Sequence, residues 1–164
     1  MNHHLRVHAL NIVDATRYLV LGTVDDAGHP WTSPVYFSSR GVREFFWQSA
    51  TDSVHSRNLE RQPRVSLTVF DSTVAPYHGR AVYAVGQAAP LSGPDLDEAL
   101  EAYPRAAERL HAASSRDEMT EPSPYRLYRV VADEVWVLCP RPPGQPCPLH
   151  GVAADHRALV DLDD

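Results

Sequence analysis

The segment Gln48–Leu59, QSATDSVHSRNL, sets Ser49, Thr51, Ser53, His55, Ser56, Arg57 and Asn58 within ten consecutive positions. Hydroxyls, a guanidinium and an imidazole are groups that bind phosphate, and a helix starting there would add its free N–H groups. The chemistry indicated is anion binding. Hydrolase and kinase chemistry loses most of its support, because the chain lacks G-x-S-x-G, H-E-x-x-H and any glycine-rich loop of the P-loop or dinucleotide type. No catalytic side chain is therefore named. The same residues also describe a well-capped helix with a solvated polar face, and spacing alone leaves both readings open.

A second group of chemically capable residues lies near the C-terminus. Cys139, Cys147, His150 and His156 are of the types zinc selects. Seven residues separate the cysteines and five of these are Pro or Gly, unlike the tight C-x2-4-C turn that usually begins a structural zinc site. The expectation is no metal: Cys139 ends a core strand, Cys147 lies exposed, and neither needs the other.

The elements that must position the first cluster are mainly β. Residues 9–17 carry a weak helical stripe. Tyr18–Val24 is a β-branched run ended by Asp25-Asp26-Ala27-Gly28, a turn composition. Extended structure resumes at Trp31–Ser38, turns at Ser39-Arg40-Gly41 and continues through Glu44–Ser49, predicting a three-stranded antiparallel meander that curls toward a barrel. Thr51-Asp52-Ser53 offers N-cap groups to a helix that Pro63 stops. Arg64–Phe70 alternates with period two, the pattern of a half-buried strand. Arg80–Ala88 follows as a fifth strand, with Gly86 marking a bulge or close backbone approach.

Pro94–His111 reads as a helix divided by Pro104. Tyr125–Val131 and Glu134–Leu138 read as a hairpin turned at Ala132-Asp133. Residues 140–148 hold five of the fourteen prolines and predict a stiff crossing segment before a strand at Arg157–Leu162. The expected whole is one domain over 1–164. Its N-terminal helix region covers 1–17, a helical insert 92–116, and a proline-rich crossing segment with a C-terminal strand 140–164.

Composition narrows the function. The 164 residues are 43% hydrophobic and 22% charged, which is globular, with no apolar run long enough to span a bilayer. The N-terminus lacks a secretory pattern, predicting a cytoplasmic protein with no membrane partner. Net charge is -6, and the fifteen basic residues, all arginine, form no basic run, so nucleic acid is not an expected partner.

The order GTVDDAGHPWTSPVYF, EFFWQS, DSVHSRNLERQPRVSLTVF resembles the FMN-binding split barrel of the pyridoxamine 5'-phosphate oxidase-like superfamily, of flavin/deazaflavin oxidoreductase type. The resemblance rests on Gly28-His29-Pro30, Ser49, Ser53 through Leu59, and Pro63-Arg64-Val65. It covers about residues 10–90 well and the rest loosely. It implies a mainly β fold with peripheral helices, a six- or seven-stranded antiparallel split β-barrel dimerised with a second copy, with FMN (or F420) held at the subunit interface. It assigns the phosphate to Ser53, His55, Ser56 and Arg57, beside Gln48 and Ser49. Backbone groups around Ser33, Pro34 and Val35 face the ring, and Trp136, in Glu134-Val135-Trp136, is offered to the other subunit's cofactor.

Where true oxidases carry an arginine and a lysine this chain has Ser33 and His55, so pyridoxamine 5'-phosphate oxidation itself is not expected. The implied activity is hydride transfer at FMN, to or from a small aromatic or heterocyclic substrate. The alternatives are an F420-binding reductase, with Arg6, Arg17 and Arg57 as the available arginines, and a non-catalytic flavin or haem binder. Trp31, Tyr36, Phe37, Phe46 and Trp47 supply aromatic surface, half of it facing the barrel interior.

Overall fold

The computed structural model describes residues 2–106 and 114–162. Three helices, α1 (Asn2–Ala15), α2 (Val54–Arg61) and α3 (Gly93–Leu100), surround strands β1 (Tyr18–Val24), β2 (Pro30–Tyr36), β3 (Ser38–Arg40), β4 (Glu44–Ala50), β5 (Arg64–Phe70), β6 (Ala81–Pro90), β7 (Tyr125–Leu138) and β8 (Arg157–Leu159). All eight strands join one antiparallel sheet in the order β2-β1-β5-β6-β7-β4-β3, with β8 added to β7. This is the expected split barrel. Eight strands form where six or seven are expected: the short β3 occupies Ser38–Arg40, where a turn at Ser39-Arg40-Gly41 is predicted, and the predicted C-terminal strand joins the sheet as β8.

The predicted meander does not form. β1 pairs with β2 through the Asp25–Gly28 turn, where one Asp25 carboxylate oxygen accepts from the Ala27 and His29 N–H groups and Gly28 takes φ 86°. After Tyr36, however, the chain leaves this edge, and β4 pairs with β7 on the far side of the sheet. The predicted hairpin at Ala132-Asp133 is likewise replaced, by one continuous 14-residue strand. Ala132 is buried, and its N–H donates to the Arg43 carbonyl, so the backbone bends without reversing. The bend is accommodated by a register shift at Val85/Gly86 in β6. A Cβ on Gly86 would lie 2.2 Å from the Val131 carbonyl oxygen, so only glycine lets the two strands approach this closely.

Two apolar cores explain the periodicities. Inward residues Leu19, Leu21, Val35, Phe45, Trp47, Val65, Leu67, Val69 and Val82 fill the barrel, capped by Leu5, Ala9, Ile12 and Val13 of α1. Truncating one of these leucines to alanine would cost about 2–5 kcal/mol. Phe46 and Leu127 face the opposite way and pack with Leu96, Ala99, Tyr103 and Met119. β4 is therefore covered on both faces, which is why EFFW reads as an unbroken apolar run. The predicted insert helix is shorter than expected, ending at Leu100 ahead of Pro104. The end of that expectation, residues 107–111, lies outside the described residues.

Candidate functional site

The phosphate-type cluster forms at the start of α2. Ser53 adopts an extended N-cap conformation, and its hydroxyl accepts from the Ser56 N–H, as a capping serine should. That cap turns His55 inward, where it is 9% exposed. Its Nδ1 lies 3.1 Å from Ser33 Oγ on β2, and its Nε2 lies 2.7 Å from Ser49 Oγ on β4 and 3.2 Å from Ser53 Oγ. Ser53 Oγ also donates to Ser56 Oγ at 2.9 Å. One helical turn further, Asn58 Nδ2 donates to Thr23 Oγ1 on β1, fixing α2 against the barrel. The imidazole thus bridges the two parts of the sheet that do not pair with each other. Burial holds its pKa below the ordinary 6.5, so the ring is neutral near pH 7.

Of the expected site residues, Ser33, Ser49, Ser53, His55 and Ser56 come together. Val35 faces inward but belongs to the core, whereas Pro34 lies exposed on the outer face. Gln48 points to the opposite face of β4 from Ser49, and its backbone is hydrogen-bonded to Tyr103, whose hydroxyl burial pushes up to about 12. Arg57 is exposed and shares a cleft with Asp25, Asp26, Glu60 and Arg61. Trp136 is on the other arm of β7, paired with Tyr83 and Leu159, so within one chain it is not part of the serine–histidine cluster.

Register reveals two residues that sequence reasoning missed. Arg126 is the direct partner of Ser49, and Tyr128 the partner of Trp47, on which it stacks at 5.6 Å. The Tyr128 side chain is hydrogen-bonded to Ser56, and burial raises its pKa. Arg126, Tyr128, Ser56 and Thr51 line a cleft of about 460 Å3 beside α2. No motif marks them; only the pairing of β4 with β7 does. The aromatic groove also contracts. Phe37, Phe46 and Trp47 are fully buried, leaving Trp31, with its indole N–H donating to Ser33 Oγ, and half-buried Tyr36.

The tail departs from expectation. Cys147 is not exposed but 1% accessible, and its sulfur lies 3.0 Å from that of Cys139. The segment folds back because the Cys139 N–H donates to the His156 carbonyl and the Cys147 N–H to the Val152 carbonyl.

An eight-stranded split barrel with a polar cluster at its α2 seam defines a class, and comparison identifies the family. The sequence model of pyridoxamine 5'-phosphate oxidase matches residues 7–139, and the chain belongs to this family. No curated protein sequence matches the chain. Among solved structures it is similar to a protein related to general stress protein 26, of the pyridoxinephosphate oxidase family, from Clostridium acetobutylicum (12% identity, 98% of this chain and 97% of that one, TM-score 0.64). It is also similar to a heme binding protein from Mycobacterium smegmatis (20%, 93% and 56%, TM-score 0.63). A third is HutZ, the heme storage protein from Vibrio cholerae (21%, 81% and 94%, TM-score 0.61). Among the described residues, no helix is long and apolar enough to cross a membrane.

Proposed function

We propose that the chain is an FMN-binding oxidoreductase that holds the cofactor phosphate at the start of α2 and acts on a small aromatic or heterocyclic substrate. The observation that carries this reading is the convergence of Ser33, Ser49, Ser53 and Ser56 hydroxyls on one helix start. The first-turn N–H groups of Val54 and His55 have no carbonyl to serve within the helix. The donor set fits a phosphate: hydroxyls can turn their protons toward an anion, and Arg57 and Arg126 flank α2 with fixed positive charge. Bound there, FMN would supply hydride chemistry at its ring. The chain's own residues would orient the ring against the β2 backbone and Trp31, and the buried His55 would brace the hydroxyls.

The activity is not pyridoxamine 5'-phosphate oxidation, because Ser33 and His55 leave the site without the arginine and lysine of that reaction. F420 is the weaker alternative. Arg6 is turned toward the Asp161 carbonyl, Arg17 lines a cleft with Tyr18 and Pro34, and Arg57 lines another with Asp25, so they form no common groove for a polyanionic tail. A haem-binding reading draws on two of the structural neighbours, yet both ring nitrogens of His55 are engaged by serines.

A homodimer in the cytoplasm completes the proposal. The outer sheet face presents Tyr18, Val24, Phe70 and Leu159 largely exposed, an apolar surface suited to a second copy. The deciding experiment is an absorption spectrum of purified protein, followed by titration with FMN and with riboflavin. Paired near-ultraviolet and blue bands, with FMN bound more tightly than riboflavin, are expected. An intense Soret band, or equal affinity for both flavins, would overturn the reading.

A further inference from the structure

We infer that Cys139, Cys147, His150 and His156 form a structural zinc site that fastens the proline-rich tail to the barrel. One ligand atom from each residue lies within 4.8 Å of all the others, and these four are drawn from 18 residues of sequence. The separations have the scale of a coordination shell. Cys139 Sγ is 3.4 Å from His150 Nδ1, Cys147 Sγ is 3.6 Å from the same atom, and His156 Nε2 is 3.3 Å from it. A tetrahedral ion with Zn–S about 2.3 Å and Zn–N about 2.0–2.1 Å places its ligands roughly 3.3–3.8 Å apart. The two sulfurs, at 3.0 Å, are closer than that range and would move apart by roughly 0.8 Å to bind the ion.

The backbone around the ligands is built for the same purpose. Cys147-Pro148-Leu149-His150-Gly151 is a tight C-x2-H turn. The Leu149 N–H donates to Cys147 Sγ at 3.3 Å, the Gly151 N–H donates to the Cys147 carbonyl at 2.8 Å, and Gly151 takes φ 69°. An N–H aimed at a sulfur favours its thiolate form. His156 Nδ1 is 3.1 Å from the Ala154 carbonyl, which fixes the proton on that nitrogen and leaves the Nε2 lone pair facing the cluster. Both sulfurs are buried. With two cysteines and two histidines the set is closed, leaving no position for substrate, so the role is structural.

The ligands flank the elements they join. Cys139 directly follows β7 and His156 directly precedes β8, which pairs with β7 through Trp136, Val137 and Leu138. An ion shared by these residues and the C-x2-H turn holds β8 in the sheet together with the packing of Ala158 and Val160 in the barrel core. The absence of a C-x2-4-C turn between the cysteines argues against zinc only if the turn must be made by two cysteines. Here the second ligand of the turn is His150.

The test is elemental analysis of the protein purified under reducing conditions without a metal-binding tag, joined to cobalt substitution. About one zinc per chain should survive gel filtration. Cobalt should replace it with the intense visible bands of a tetrahedral site and a thiolate charge-transfer band. Cys147→Ser and His150→Ala should each reduce bound zinc by at least tenfold and abolish or markedly alter the cobalt spectrum. If either variant fails to fold, the wild-type cobalt spectrum and its loss on thiol alkylation of the chelator-treated protein decide the matter. Wild-type protein with neither zinc nor tetrahedral cobalt bands would overturn the proposal. So would a Cys139–Cys147 disulfide in metal-free protein that remained after reduction and zinc addition.

Discussion

His55 Nε2 lies 2.7 Å from Ser49 Oγ, and through this contact the N-terminus of α2 grips β4 while the other ring nitrogen meets Ser33 of β2. Strands that share no ladder are thereby joined across the seam of the barrel. His55→Ala would leave the buried Ser49 hydroxyl without its partner, at a cost of about 1–3 kcal/mol. Urea unfolding of the cofactor-free protein should show a lower midpoint with an unchanged slope. An unaltered midpoint would mean that the seam is held by packing alone.

The same contact sets a pH dependence. Burial lowers the His55 pKa in the folded chain below the 6.5 of the unfolded one, so the unfolded chain binds more protons between those two values. Stability contributed by the neutral ring is complete above pH 6.5. It declines as pH falls from there toward the folded-state value, and no further loss from this group occurs below it. Melting temperatures from pH 8 to 5 should therefore drop more in wild type than in His55→Gln. Parallel curves for the two proteins would assign the acid sensitivity to other groups.

Much of this arrangement could be read from residue order, and the exceptions share a cause. Arg64–Phe70 forms the strand its alternation predicts, and Ser53 caps the helix its hydroxyl predicts, because both signals are local. Trp31–Ser38 and Glu44–Ser49 are expected as neighbours because a short turn joins them, yet β2 stays with its hairpin partner β1, and β4, touched by that run only at Ser38, takes the partner distant in sequence, β7. Arg126 and Tyr128 went unnoticed for that reason. Ala132-Asp133 resembles a hairpin turn, but Gly86, a residue remote in sequence, makes room for the strand to bend instead. His150, spaced x2 from Cys147 and followed by glycine, is a local signal legible in the sequence, whereas the approach of Cys139 and His156 to that turn depends on the pairing of β7 with β8.

Gly86 offers a direct check on the bend in β7. Alanine there would place a methyl against the Val131 carbonyl and Ala132 Cα, and backbone cannot swing aside as a side chain can. Gly86→Ala should destabilise by about 3 kcal/mol or more, the upper range for forced overpacking. A loss under about 1 kcal/mol in denaturant titration would show that the strands part there easily.

Outer-face residues test the dimer. Leu159 is 56% exposed and pairs with Trp136 on a face that also carries Tyr83. Light scattering should report a mass near twice 18.3 kDa, and Leu159→Glu should shift the population toward monomer. A wild-type monomer at micromolar concentration with FMN bound would remove the second subunit, and with it the role proposed for Trp136.

Arg57 and Arg126 separate two ways of neutralising the cofactor phosphate. Arg57 leaves the exposed side of α2 in a cleft whose Asp26 pairs with Arg61; Arg126 is half-buried, lies in register with Ser49, and donates to the Ser123 and Tyr125 carbonyls with Glu121 nearby, contacts it would exchange in part for the phosphate. If α2 holds the phosphate, each guanidinium adds a charge-assisted hydrogen bond worth about 1.5–3 kcal/mol. Arg57→Ala should then weaken FMN binding by roughly ten- to a hundredfold, and Arg126→Ala by a similar or larger factor, because its surroundings contain less water. Riboflavin, which lacks the phosphate, should bind all three proteins alike. Should FMN affinity stay constant in both variants, the phosphate lies elsewhere and the serine–histidine cluster is a brace for the seam. If riboflavin weakens in parallel with FMN, the arginines shape the ring pocket rather than the phosphate site.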